Sequence, residues 1–185
     1  MQKVFLSGSR KIKTLPQEVK ERVDNIIWKG FQVVVGDANG ADKAFQAYLE
    51  KKHYKNVVVF CMNSDCRNNL GNWDVKPIHS NVKKKDFKFY STKDEEMAKE
   101  ADFGLMVWDF ESNGTFNNIY NLASQNKCSV VFVEKECKFH TIKDVYGAKD
   151  LLNKCSSDIK KNIVEKIGIN KLVNANISGL QISLI

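Results

Sequence analysis

Apolar and polar positions alternate in blocks along the chain. Lys3–Ser7 (KVFLS) reads as a buried strand ending at Gly-Ser-Arg. Leu15, Val19, Val23, Ile26 and Ile27 then recur at helical spacing behind Pro16, a good first-turn residue, and Gly30 supplies the stop. Phe31–Val35 is a second strand and Ala41–Lys52 a second helix, with Phe45, Tyr48 and Leu49 facing inward. Asn56–Met62 (NVVVFCM) is uninterrupted and β-branched, as a strand covered on both faces should be. A long polar stretch, Asn63–Tyr90, follows and predicts a loop. Thr92 and Glu95 have capping-box spacing and predict a helix over Lys93–Ala101. Phe103–Asp109 is a fourth strand, Asn113–Lys127 a loop entering a helix with Ile119, Leu122 and Ala123 inward, and Ser129–Glu134 a fifth strand. Ser157–Ile167 predicts a last helix, and Leu172–Ile185 has no assignable role.

Strands alternating with helices imply an α/β fold. The expectation is a Rossmann-like three-layer sandwich, its mainly parallel sheet of about five strands covered by helices on both faces. Residues 1–136 form the expected main domain, and 137–185 a partly helical extension packed on it.

In such folds ligands gather beyond the C-terminal ends of the strands, where strand order reverses. Three segments are predicted to share that rim. Gly8, Ser9 and Arg10 offer a tight turn, a hydroxyl and a guanidinium able to grip phosphate. Gly36, Asp37, Gly40, Ala41 and Asp42 combine close backbone approach with carboxylates for sugar hydroxyls, although Asp42 also suits a helix N-cap. Gly114 and Thr115 can present N–H groups to an anion, although Thr115 or Asn113 also suits the cap of that helix. Asp109 and Glu111 place two carboxylates beside the same crevice.

Composition narrows this picture. The chain has 185 residues, 43% hydrophobic and 28% charged, ordinary for a soluble globular domain. No apolar run reaches membrane-spanning length and the start lacks the pattern of a signal peptide, so a cytoplasmic protein is expected. Five cysteines without a CxxC pair argue against a disulfide framework or zinc finger; Cys61 and Cys66 read as a strand-core and a loop residue. The three histidines show no metal-ligand spacing, and no metal or resident cofactor is expected. Gly36–Asp42 fits neither the P-loop nor the GxGxxG fingerprint. The net charge of +7 is concentrated: Lys76–Lys93 carries six lysines against the single Asp86, interleaved with Phe87, Phe89 and Tyr90. That segment raises nucleic acid as an alternative partner to a small molecule.

Taken in order, Gly8-Ser9-Arg10, GDANGAD (36–42), RNNLGNW (67–73), Lys93-Asp94 and WDFESNGTFNNI (108–119) resemble the SLOG superfamily. This Rossmann-like nucleotide-binding group includes lysine-decarboxylase-like and DprA-like proteins, and the pattern is most similar to its YspA-like branch. The resemblance spans roughly residues 1–135. It implies a pocket for a nucleotide or nucleotide-derived phosphosugar, built by the Gly36–Asp42 and Gly114–Thr115 segments, and leaves a homo-oligomer open. Related phosphoribohydrolases and deoxyribosyltransferases cleave N-glycosidic bonds, the former with a glutamate shortly after glycine-threonine. This chain has Asn117 and Asn118 there, which favours binding or sensing. The alternative implied is an N-glycosidic hydrolase acting on a nucleoside 5′-monophosphate, with Asp109, then Glu111, as candidate catalytic carboxylates. In that case Arg10 and the Thr115 helix end hold phosphate, and Asp37 or Asp42 the ribose hydroxyls.

Overall fold

The computed structural model describes residues 1–82 and 84–169. Leu172–Ile185, for which the sequence assigns no role, lies outside them, as does Lys83 of the basic segment. Seven strands, β1 (Lys3–Gly8), β2 (Gln32–Gly36), β3 (Val57–Met62), β4 (Asp74–Ile78), β5 (Phe103–Trp108), β6 (Ser129–Val133) and β7 (Lys138–Ile142), form one sheet in the order β4-β3-β2-β1-β5-β6-β7. All pairings are parallel except that of β6 with β7. In register, Leu6 of β1 lies between Val35 of β2 and Leu105 of β5.

Side chains of a strand alternate between faces, and the apolar strands supply both. Leu6, Val33, Val35, Val59 and Val107 pack on one face against Val19 and Val23 of α1 (Gln17–Trp28) and Phe45 and Leu49 of α2 (Ala41–Lys51). Phe5, Val34, Phe60, Met106 and Trp108 pack on the other. That face is covered by α3 (Phe87–Glu100), α4 (Asn113–Ala123), α5 (Val145–Asn153) and α6 (Ser157–Ile167). Tyr48, expected inward, is only partly buried and donates its hydroxyl to Asp24.

The sheet has two strands more than the five expected, and both are edges. β4 is exposed over four of its five residues and contains Pro77, which an edge strand tolerates. It comes from the stretch expected to be loop. β7 turns back antiparallel through a short 3₁₀ segment, Glu134–Glu136, and Cys137 in the left-handed region at φ +50°. Residues 138–142 of the C-terminal segment thus complete the sheet. α3 also starts earlier than the capping box predicts. Asp86 is the real cap, accepting from the N–H groups of Lys88 and Phe89, and Thr92 Oγ1 bonds back to the Lys88 carbonyl inside the helix. Burial of Phe89, Met97 and Ala98 explains the extra turns. The cysteine expectation needs correcting too. Cys61 at the end of β3 and Cys66 are joined in a disulfide, because the turn after β3 brings their Cα atoms within 5.2 Å.

Candidate functional site

The chain leaves β1 toward β2 on one side and β5 toward β6 on the other, so strand order reverses between β1 and β5. Neighbouring connections diverge at such a point and leave a crevice. Beyond Gly8 the two strands are tied together. Ser9 Oγ donates to Asp109 Oδ1 at 2.9 Å and lies 3.3 Å from Thr115 Oγ1. The same Asp109 oxygen accepts from the backbone N–H groups of Glu111 (2.9 Å) and Ser112 (2.8 Å). This buried knot sets where α4 begins. Ser112, not Asn113 or Thr115, caps α4, its Oγ accepting from the Thr115 N–H.

On the β2 side Gly40 is the residue before α2, with φ +89°, and a Cβ there would strike the backbone of Arg10. Asp42 lies inside the helix and does not cap it; its Oδ2 accepts from the Ala38 N–H at 3.3 Å. Gly36 makes room for a side-chain pair: a Cβ on it would meet the Asp42 carboxylate and come within 2.7 Å of Lys93 Nζ. The glycines of GDANGAD therefore admit other parts of this protein.

Lys93 projects from α3 toward the C-terminal end of β2 and is 2% exposed. Its Nζ lies 3.5 Å from Asp37 Oδ1 and 3.4 Å from Asp94 Oδ1. Asp37 is gripped by Arg67, with Nη2 to Oδ1 at 2.6 Å and Nε to Oδ2 at 2.9 Å. The Arg67 guanidinium lies 4.8 Å from the centre of the Tyr90 ring. Gln46 secures the loop carrying Arg67, donating to the carbonyls of Gly36 (2.8 Å) and Asn68 (3.1 Å) and accepting from the Leu70 N–H (3.0 Å).

These groups hold one another's charge states. Burial pushes the Asp42 carboxyl up to about 6, against the pull of Lys93. Burial also raises Asp94, again opposed by Lys93. For Asp37 burial is outweighed by the Arg67 hydrogen bonds and by Lys93, and the carboxyl sits below its usual range. Burial likewise works against the Lys93 ammonium, but Asp94, Asp42 and Asp37 outweigh it and hold it above its usual range.

Around this network lies a cleft in two connected parts, sharing Arg10, Tyr90, Asp94, Ser112 and Gly114. The outer part, about 380 Å³, is bordered by Lys85, Phe87 and Ser91 of the α3 entrance. The inner throat, about 60 Å³, reaches Ser7, Gly8, Asp42, Arg67, Lys93, Thr115 and Asn118. Of the residues singled out from sequence, Gly8, Arg10, Asp42, Gly114, Thr115 and Asn118 line the cleft. Ser9, Gly36, Asp37, Gly40 and Ala41 support it from behind. Asp109 and Glu111 do not line it. Glu111 is an exposed bridge between Lys11 (2.5 Å) and Lys135 (2.8 Å), whose hydrogen bonds pull its carboxyl down to about 2. Arg67, Tyr90, Lys93 and Asp94 are among the lining residues that the sequence reading did not single out. Arg67, Lys93 and Asp94 belong to the RNNLGNW and Lys93-Asp94 segments and Tyr90 to the aromatics of the basic segment, but their convergence has no signal along the chain.

The basic segment is not one loop. Lys76 lies in β4 and pairs with Glu100, and Lys93 is internal. Lys84, Lys85 and Lys88 remain exposed near the cleft mouth. Among the described residues no cluster of His, Cys, Asp or Glu is placed to hold a metal ion, and no helix is long and apolar enough to cross a membrane.

No protein-family model matches the chain, and no curated protein sequence matches it. A solved structure does: DNA processing protein A (DprA) from Helicobacter pylori, studied for its single-stranded DNA binding mode. The two align over 91% of this chain and 81% of that one, with a TM-score of 0.55 and 14% sequence identity. At that identity the likeness is one of fold: a Rossmann-like α/β sandwich of the kind found in DprA.

Proposed function

We propose that this protein is a SLOG-type sensor or binding protein that takes a nucleotide or nucleotide-derived phosphosugar in the cleft between β1 and β5. Residues 1–136 supply the site, and the described part of the C-terminal extension, 137–169, extends and covers the same unit. The observation that carries this reading is Arg10. Its side chain is exposed and makes no hydrogen bond among the described residues, and it borders the cleft together with Ser112 and Gly114 at the N-terminus of α4. An exposed guanidinium beside a helix N-terminus suits phosphate. Tyr90 adds an aromatic face for a base.

Isothermal titration against nucleoside mono-, di- and triphosphates, dinucleotides and cyclic nucleotides tests the reading. At least one class should bind, and Arg10→Ala should weaken it about tenfold or more, the scale of a charge-assisted hydrogen bond. Failure of every class, or an unchanged affinity in Arg10→Ala, would remove it.

A second reading is single-stranded nucleic acid. Exposed Lys84, Lys85 and Lys88 with Phe87 at the cleft mouth favour it, as does the DNA-binding role of the structural neighbour. Its signature is oligonucleotide affinity that falls steeply with added salt, independent of base. The enzymatic alternative, N-glycosidic hydrolysis of a nucleoside 5′-monophosphate, would draw on Asp109 and Glu111. Both are engaged by protein partners, which favours binding over turnover. Release of free base, abolished by Asp109→Asn with Glu111→Gln, would reverse that preference.

A further inference from the structure

The disulfide ends one residue from the cleft. Cys66 immediately precedes Arg67, which lines the inner throat with Arg10 and Lys93. Asp37 holds Arg67 in place, accepting from its backbone N–H at 3.2 Å as well as from Nε and Nη2. Downstream, Gln46 and Asn69 fix the loop by accepting from the Leu70 and Trp73 N–H groups. Upstream, the Asn63 N–H donates to the Ile78 carbonyl. Between these ties Ser64, Asp65 and Cys66 make no hydrogen bond among the described residues, and Ser64 and Asp65 are exposed. The bond from Cys66 to Cys61 anchors this stretch to the sheet.

That bond is placed to act locally. Its two cysteines are five positions apart, so it restricts the unfolded chain little. Cys61 belongs to β3, which is paired on both sides by β2 and β4 and is held without the bridge. What the bridge fixes is Cys66 and, through it, the approach of Arg67 to Asp37. Exposure is lopsided as well. Cys61 is 0% exposed and Cys66 only half-buried, so a thiolate in solution can reach one sulfur and not the other. Cys128, Cys137 and Cys155 are unpaired, unlike the cysteines of a small domain stapled throughout.

We infer that the Cys61–Cys66 bond is a redox switch on the cleft: it seats Arg67 against Asp37, and its reduction by a dithiol releases Arg67 and weakens ligand binding. One thiolate of the dithiol attacks Cys66 Sγ, the S–S bond breaks, and Cys61 leaves as a thiolate that takes a proton. The second thiolate of the dithiol then displaces Cys66 from the mixed disulfide. Two thiols are left on this protein and a disulfide on the reductant; a disulfide oxidant runs the same exchange backward. Without its anchor the stretch 63–67 opens while the sheet stays closed, and the apparent affinity falls with the fraction of molecules in which Arg67 remains seated. This regulates the site of the nucleotide reading, and its affinity arm rests on that reading.

The test compares the full chain, oxidised and after reduction with dithiothreitol, by amide exchange without ligand and by titration with the nucleotide panel. Thiol titration should count the three unpaired cysteines before reduction and all five after it. Reduction should speed exchange of the Arg67 N–H about tenfold while the Leu70 and Trp73 N–H groups keep their rates. It should weaken the nucleotide that binds by about tenfold, the scale of one charge-assisted partner. Cys66→Ser should exchange and bind like the reduced protein and ignore dithiothreitol. A thiol count that does not rise, unchanged exchange at Arg67, or acceleration spread evenly over residues 57–78 overturns the switch. Equal nucleotide affinity in the two states also overturns it and leaves the nucleotide reading standing. If no nucleotide binds in either state, the nucleotide reading falls, and exchange at Arg67 decides the switch by itself.

Discussion

Two aspartate-centred clusters flank the same sheet edge and behave in opposite ways. At the β1–β5 junction, Asp109 Oδ1 accepts from Ser9 Oγ and from two backbone N–H groups; every donor is neutral and every bond is short. At the β2–α3 side, Asp37, Asp42 and Asp94 surround the buried ammonium of Lys93, with Arg67 as a second cation. The first cluster turns a carboxylate into a fastener for a loop. The second concentrates charge that the protein does not fully neutralise. Polar groups fully used by the fold shape the cleft from behind; those left partly unused line it.

Substituting Lys93 should produce the largest effect. Lys93→Met leaves three carboxylates crowded with only Arg67 to offset them, and removing one member of a buried ion network typically costs about 3–5 kcal/mol. Urea unfolding should show that loss. A drop below about 1 kcal/mol would mean the cluster is hydrated and as loose as a surface pair.

Asp109→Ala comes next. It strips the acceptor from Ser9 Oγ and from the Glu111 and Ser112 N–H groups, at about 2–3 kcal/mol for buried donors left unpaired. Amide exchange should accelerate at the start of α4 while β2 and α2 stay protected. Uniform acceleration across the sheet would contradict a local fastener.

Within the second cluster two carboxylates should part in their pH dependence. The folded-state pKa of Asp42, raised to about 6 by burial from its ordinary 3.8, means the native protein keeps a proton that the unfolded chain releases. Its contribution is complete below about pH 4 and is lost as pH climbs through 6, a change of about 1–3 kcal/mol. Asp37 has the opposite sign, because its pKa is lowered: its contribution is present above the ordinary carboxylate range and lost as acid protonates it. Unfolding midpoints from pH 4 to 7 should therefore fall less steeply in Asp42→Asn than in the parent protein. Identical slopes would place the titrating group elsewhere.

The smallest effect is expected at Glu111, which is exposed and bridges two exposed lysines. Glu111→Gln should leave the unfolding midpoint and nucleotide affinity unchanged at physiological salt, since screened surface pairs contribute little. A clear loss of affinity would bring Glu111 back as a ligand contact.

Much of the scaffold was legible along the chain. β1, β2, β3, β5 and β6 are apolar because both faces of the sheet are covered, and α6 runs over the expected Ser157–Ile167. β4 and β7 were hidden because an edge strand half in solvent needs no apolar alternation, and DVKPI or KFHTI carries little of it. The start of α3 was misplaced because a capping box inside a helix has the same spelling as one at its end, and burial of Phe89 decided between them.

The site divides the same way. Residue types and their place after strands determined the rim, Arg10 and the start of α4, since strand-to-helix junctions announce themselves locally. Which carboxylates face the cleft was decided by tertiary structure alone. Asp109 and Asp94 look alike in sequence, yet Asp109 meets Ser9 100 positions away and is spent there, while α3 carries Asp94 to the cleft and buries Lys93 beneath Gly36. Whether a polar side chain is satisfied depends on partners brought together by chain crossings, and no local pattern encodes them.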